Sequence, residues 1–297
     1  MAQPQQNLAI TAPGFAGLNT QDSPLSLDVS FASLATNCVI DQFGRISSRR
    51  GFNAVTQNPE ILSGNPIEVL FEFITEAGIK YLFACGNNQI YLQDIGGTRD
   101  LTALTVPNAI TADNWQIASL NDKCYFVQNN HAPLVFDPAV STTALAEWAE
   151  QPSTIPAINY VGNPGCVHAA FGRLWTGDFD GSNTVVAYSS LLNGEDYTTG
   201  GAGSLETSEY WPSGYDQVTS LFAHNDFLII FGQTNILVYF TTPDVAADLA
   251  LVDTIEGLGC IARDSVVPIG KDIFFIDATG VRSLNRTIQE KSIPIGD

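Results

Sequence analysis

Positive charge is scarce in this chain: 297 residues carry 12 Lys and Arg against 31 Asp and Glu, a formal net charge of −19. That balance argues against a fold whose main face grips nucleic acid, because neutralising phosphates takes clustered Lys and Arg. Long apolar runs are missing as well: nowhere do about 18 or more apolar residues follow one another. The opening MAQPQQNLAITAPGF has neither the basic start nor the apolar middle of a signal peptide. No membrane insertion is expected. The five cysteines, Cys38, Cys85, Cys124, Cys166 and Cys260, are odd in number, far apart and without a C-x-x-C pair. They read as buried free thiols of a protein assembled in a reducing cytosol.

Catalytic signatures are also lacking. There is no G-x-S-x-G, P-loop, H-E-x-x-H or Rossmann fingerprint. The three histidines, His131, His168 and His224, have no second His or Cys at ligand spacing and read as core or surface residues. GDFDGSN (177–183) has the look of a calcium loop in Asp178, Asp180 and Asn183, but no late bidentate acid follows at the required distance. A hairpin tip built from turn-forming residues explains it better. No catalytic residue, metal or cofactor is therefore expected.

What the chain does have is 45% apolar residues, enough for a real core, and a recurring strand pattern. Five segments share one plan, an apolar or alternating run, a short Gly/Asn/Asp-rich turn and a second run. They are KYLFACGNNQIYLQD (80–94), KCYFVQNNHAPLVFD (123–137), RLWTGDFDGSNTVVAYSS (173–190), FLIIFGQTNILVYFTT (227–242) and DIFFIDATGVRSLNR (272–286). Each reads as a β-hairpin. Their starts fall about 43 to 54 residues apart, and the strand-like runs IEVLFEFI, WQIASL, CVHAAF, VTSLFA and SVVPI precede them. A repeat of about 45 residues forming a four-stranded blade fits this spacing. The expected fold is all-β and β-propeller-like, with about five to six blades after an N-terminal extension and hairpin; an irregular β-sandwich is the alternative.

Two stretches read as short helical connectors, DVSFASLATN (28–37) and STTALAEWAEQP (141–152). NGEDYTTGGAGSLETSEYWPSG (193–214) reads as a long surface loop. The implied division is 1–38, an arm with a short helix, and 39–297, a propeller-like domain. The hairpin at 39–56, with Gly44 at its turn, either completes a blade or closes the ring. The abrupt end at EKSIPIGD leads to the expectation that more chain follows or that the N-terminal hairpin pairs with this end.

Two groups of residues suggest contacts. Arg45, Arg49 and Arg50 place a quarter of all positive charge in IDQFGRISSRRGF (40–52), suited to carboxylates within the fold or across a subunit boundary. Tyr197, Tyr210, Trp211 and Tyr215 gather in or beside the long loop; Tyr210, Trp211 and Tyr215 are the second interface candidate, for a neighbouring subunit or a sugar. Asp122, Asp178, Asp226 and Asp272 fall at or near successive hairpin starts. They keep open a glycan-hydrolysing or glycan-binding propeller, since such acids at a channel mouth can do acid/base work. A peptide-binding scaffold propeller is a third reading.

GFAGLNTQDSPLSL, followed by TNCVIDQFGRISSRRGF, resembles the opening of the tail nozzle or tail-knob proteins of short-tailed bacteriophages. HNDFLIIFGQTNILVYFTT and GLGCIARDSVVPIGKDIFFIDATGVRSLNR are similar to that family's late blades, so the likeness spans residues 14–52 and 214–291. The resemblance implies a β-propeller subunit without an enzymatic site. It implies a homo-oligomeric ring, commonly a hexamer, below the portal and adaptor proteins of the virion tail, assembled in the host cytoplasm. Genomic DNA would touch it only in transit through the channel. Family members are often much longer and carry inserted tip domains, beside which this chain reads as compact or incomplete.

Overall fold

The structure, a computed structural model, describes residues 16–40, 45–51, 61–94, 100–149, 163–212 and 214–291. The chain divides into two compact units, Met1–Val55 and Thr56–Asp297. In the first, β1 (Gly17–Leu18) runs parallel to β2 (Phe31–Ala32), and β3 (Cys38–Ile40) pairs antiparallel with β4 (Ile46–Ser48). Arg49 N donates to Asn37 O at 2.8 Å and closes the base of this hairpin. Its expected turn at Gly44, like the terminal residues 292–297, lies outside the described residues.

The second unit is a five-bladed β-propeller, five small antiparallel sheets in a ring. The first sheet holds β5 (Val69–Ile74), β6 (Lys80–Gly86), β7 (Gln89–Asp94) and β8 (Leu101–Ala103). The second holds β9 (Gln116–Leu120), β10 (Lys123–Gln128), β11 (His131–Phe136) and β12 (Ala146–Glu147). The third holds β13 (Pro164–Ala170), β14 (Arg173–Phe179), β15 (Val185–Tyr188) and β16 (Gly203–Glu206). The fourth holds β17 (Val218–His224), β18 (Phe227–Gly232), β19 (Asn235–Phe240) and β20 (Ala250–Glu256), with the one-turn helix α1 (Val245–Asp248) before β20. The fifth has three strands, β21 (Val267–Ile269), β22 (Asp272–Asp277) and β23 (Gly280–Ser283), followed by helix α2 (Leu284–Lys291). All five predicted hairpins are present as the second and third strands of their sheets, and the runs before them are the first strands.

Local chemistry sets the hairpins. Asn87 and Asn88 (φ 57° and 54°) and Asn121 and Asp122 (φ 49° and 60°) are left-handed at both central turn positions. This geometry matches the twist of the flanking strands, and Asn and Asp tolerate it. Within the strands, alternation sends side chains to both faces of each sheet, and both faces are apolar. Phe73, Phe83, Phe126 and Phe136 pack between the first and second sheets. Val127, Val135, Val167 and Leu174 lie between the second and third, and Trp175, Val186, Leu221 and Ile230 between the third and fourth. Ile229, Phe231, Ile273 and Phe275 fill the space between the fourth and fifth. Among the described residues no such cluster joins the fifth sheet to the first. The first strands of the first four sheets contact one another in sequence, β5 with β9, β9 with β13 and β13 with β17, which makes them the inner strands.

Both predicted helical connectors are extended instead. In the first, Asp28 Oδ1 accepts from Ser30 N at 2.9 Å and from Ser30 Oγ at 2.6 Å, a local turn that competes with helix, and Phe31 then pairs with Gly17. In the second, Leu145 enters the core between sheets one and two while Trp148 enters the core between sheets two and three. Residues three apart that serve opposite faces need an extended backbone. Trp148 Nε1 also donates to Leu134 O at 2.8 Å. Its expected stop at Pro152 lies outside the described residues. The polar stretch 193–214 is not all loop, since β16 within it pairs with β15 and completes the third sheet.

Phe83 is fully buried, with its ring 5.1 Å from Phe126 and 5.0 Å from Phe136, both edge-on. Phe83→Ala is expected to cost about 3–5 kcal/mol in a urea titration. Val140→Ala, at an exposed position, should stay within about 0.5 kcal/mol of the parent chain.

Candidate functional site

The residues singled out by sequence separate by unit and by burial. Arg45, Arg49 and Arg50 are exposed and flank β4. In the propeller, Tyr210 and Tyr215 are exposed; Tyr215 Oη donates to Asn183 Oδ1 at 3.3 Å, and the Tyr210 ring stands edge-on to Tyr239 at 6.3 Å. Trp211 is only 4% exposed and belongs to the core between the third and fourth sheets. Its side chain therefore anchors the loop from within and presents no surface to a partner. Tyr197 is buried too, stacked on Trp148 at 6.1 Å. The aromatic loop is largely an internal staple, since aromatic rings that find a sheet face bury there.

The hairpin acids do not form one group. Asp122 and Asp226 precede β10 and β18 and Asp272 opens β22, the same end of the second strand in three sheets. Asp178 is the penultimate residue of β14, at the opposite end. Asp122 Oδ1 accepts from Glu76 N at 2.6 Å; Asp272 accepts from Ile273 N, Asn285 N and Ser283 Oγ. In GDFDGSN, burial raises the pKa of Asp178 against the lowering effects of Asn129 and the Arg263 charge. Asp180 Oδ2 accepts from Asn130 N at 2.9 Å and Asn163 N at 3.3 Å. Asp178 Oδ2 accepts from Asn129 Nδ2 at 3.4 Å, so both carboxylates reach the β10–β11 turn of the neighbouring sheet. Among the described residues no group of three or more His, Cys, Asp or Glu is placed to hold a metal ion.

Four of the five cysteines are buried, and burial pushes the Cys85 thiol up to about 12. His131 is buried with its ring 5.1 Å from Trp115, and His168 lies 4.7 Å from Phe222, where burial pushes its pKa down to about 4.

The centre of the propeller is organised by a residue that sequence reasoning passed over. Arg263 sits in the 3-10 turn Arg263–Ser265 ahead of β21. Its Nη1 donates to Gly165 O at 2.6 Å, its Nη2 donates to Asn114 O at 2.6 Å, and Asp264 pairs with it at 2.9 Å. Gly165 is the second residue of the inner strand of the third sheet, and Asn114 leads into that of the second. One guanidinium thus ties three sheets together at the end where their inner strands begin, a task for which its forked donors are suited. Gly165 has no room for a side chain, because a Cβ there would strike the side chains of Asn129 and Asp178. A lone arginine in a loop carries no pattern that sequence reading can recognise.

A second polar feature lies between the first and second sheets. Gln128 and His131 face each other across β10 and β11, and His131 packs on Trp115. Asp113 accepts from Asn88 N at 2.8 Å, next to Gln89. Gln89 Oε1, Asp113 Oδ1, Trp115 Nε1, both Gln128 amide atoms and His131 Nε2 are buried without a protein partner. His131 Nδ1 donates to Ala132 O at 2.6 Å, since a carbonyl oxygen can only accept. Buried polar atoms of this kind are normally bridged by internal water.

Asp216 holds the entry to the fourth sheet. It accepts from Gln233 N at 2.9 Å, Thr234 N at 2.8 Å, Asn235 Nδ2 at 2.9 Å and Gln217 N at 2.8 Å. Burial alone would raise its pKa, but these donors together lower it below the usual 3.8.

No protein-family model matches the chain, and no curated protein matches it. Among solved structures, a chain from BBS1N in complex with ARL6DN aligns at 14% identity and a TM-score of 0.44, covering 74% of this chain and 64% of that one. The computationally designed Ika4 protein aligns at 9% identity and a TM-score of 0.38, over 61% of this chain and 94% of its own. YCF48 bound to D1 peptide aligns at 15% identity and a TM-score of 0.38, over 66% and 57%. The chain thus spans less than two thirds of two of these three proteins. Likenesses at this level carry no functional argument.

Arg263→Ala strands two carbonyl acceptors and should cost about 1–3 kcal/mol in urea, with Arg263→Lys recovering only part because a point ammonium cannot span both carbonyls. For Asp216 the sign is set by its depressed pKa: its contribution is complete above the unfolded value and is lost as pH falls below about 3.8. Thermal scans from pH 6 to pH 2 should therefore show Asp216→Asn less stable than the parent at the upper end and converging with it at the lower.

Proposed function

We propose that this chain is a structural subunit of the tail of a short-tailed bacteriophage. In this reading it forms a ring that continues the portal and adaptor channel and conducts or retains the genome before ejection. The observation that carries the reading is the distribution of charge over the two units. Before Thr56 lie three of the 31 acids (Asp22, Asp28, Asp41) and three of the 12 bases (Arg45, Arg49, Arg50). The propeller therefore holds 28 acids against nine bases and carries all of the net −19. An acidic wall leaves a duplex mobile, whereas a basic one would hold it by counterion release. A neutral unit presenting three exposed arginines is suited to pair with the carboxylates of another subunit.

The architecture supports a conduit built between subunits rather than through each one. The Arg263 guanidinium crosses between the inner strands of the propeller, so a genome path in this reading runs past several propellers. The family-like stretches at residues 14–52 and 214–291 support the same reading from the sequence.

Negative-stain images and mass photometry of the full chain test it. Rings are expected, and particles lacking this protein should have truncated tails; a strict monomer that is absent from virions would reject the reading. Arg45→Glu, Arg49→Glu and Arg50→Glu together should reduce ring formation at least tenfold while the unfolding midpoint of the propeller stays unchanged.

A further inference from the structure

One seam of the propeller joins a carboxyl to an amide whose hydrogen bonds do not balance. Asp178, on β14 of the third sheet, accepts at Oδ2 from Nδ2 of Asn129, in the β10–β11 turn of the second sheet, at a long 3.4 Å. Asn129 Oδ1 is buried and has no donor among the described residues. Both oxygens converge on one backbone position: a Cβ built on Gly165 would lie 1.9 Å from Asn129 Oδ1 and 2.5 Å from Asp178 Oδ2. A buried acceptor left without a donor carries its full desolvation cost. The polar groups around the pair are bonded elsewhere. Arg263 Nε donates to Asp264 Oδ1, its Nη1 to Gly165 O, and its Nη2 to Asn114 O and Asp264 Oδ2. Asn130 N and Asn163 N donate to Asp180 Oδ2. The Asp178 carboxyl can itself become the missing donor, because it acquires an O–H when it takes a proton.

We propose that Asp178 and Asn129 form a proton-linked pair across the seam between the second and third sheets, in which the protonated carboxyl donates to Asn129 Oδ1 while Asn129 Nδ2 donates back to Asp178 Oδ2. The proton comes from solvent and returns to it. With the proton in place, the amide oxygen has its donor and the half-buried carboxyl has no charge to desolvate. Without it, an ionised carboxylate lies beside a buried amide oxygen that nothing in the pair can serve. The inference goes beyond the ring-forming reading and does not rest on it, since it concerns a seam within one propeller.

The charges that face Asp178 are few. Burial opposes its ionisation most strongly and Asp180, on the same hairpin tip, adds to that; Asn129 and Arg263, from the turn before β21, favour the charge. Burial prevails, and the carboxyl is held above its usual 3.8. Asp264 is paired with Arg263 at 2.9 Å. Cys166 on β13 is fully buried, and burial, helped by the Asp178 charge, holds its thiol well above the usual 9.0, so it stays neutral in acid. Because the fold raises this pKa, the pair's contribution is complete below about 3.8 and is lost as pH rises through the raised value. That sign is opposite to the one at Asp216. Arg263 holds Gly165 O, so the pair and the clamp meet at one residue.

The parent chain itself carries the test. In full-length protein labelled with 13C and 15N, the Asp178 carboxyl carbon should titrate with a midpoint above 3.8. The side-chain carbonyl carbon of Asn129 should move downfield with that same midpoint as the carboxyl takes its proton, the mark of an accepted hydrogen bond. Asp178→Asn, which carries an N–H donor at every pH, assigns the carboxyl signal and adds a second measurement. In urea it should be at least as stable as the parent at pH 7, and the parent should gain on it as pH falls toward 3.8. A carboxyl midpoint at or below 3.8 overturns the proposal. So does an Asn129 carbonyl that stays still through the titration, which would leave its oxygen to water, or an Asp178→Asn chain weaker than the parent at pH 7.

Discussion

The propeller depends on the burial of sheet faces against neighbouring sheets. A sheet of three or four short strands has no core of its own. Its stability comes from the layers on either side, such as the Phe83, Phe126 and Phe136 triad between the first and second sheets. Apolar burial contributes roughly 25 cal/mol per Å² removed from water, so each added sheet stabilises the one before it.

Electrostatics refines this picture without creating it. A propeller with 28 acids and nine bases repels itself over most of its surface. Within it, carboxylates are taken up by backbone donors at the sheet entries, as Asp216 is by Gln233 and Thr234. Such acids act as local fasteners whose charge is stabilised by N–H groups rather than by scarce cations. Where a guanidinium does enter the propeller, as Arg263 does, it joins main-chain carbonyls of separate sheets.

Much of this architecture was legible in the sequence, for reasons that are physical. The hairpins declared themselves because their alternating strands and Asn/Asp turns are local properties, as at Asn87–Asn88. The short strands β12 and β16 were hidden, because two to four residues in a polar or helix-favouring context carry too little pattern and take their form from the neighbouring strand. Trp211 and Tyr197 read as surface aromatics since composition cannot reveal which side of a Gly-rich loop meets a core. The candidate site was less legible than the fold. Arg263 matters through partners far away in sequence, and nothing beside it in the chain announces them.

The Arg263 clamp has a consequence for the order in which the propeller comes together. Contacts within each blade and between successive blades join segments near in sequence, so they close small loops and form early. The bond from Arg263 to Asn114 joins residues 149 apart, and the one to Gly165 joins residues 98 apart. Each can form only once the two sheets it joins stand in place. The guanidinium is therefore a late latch, a contact that slows the departure of finished blades more than it hastens their arrival.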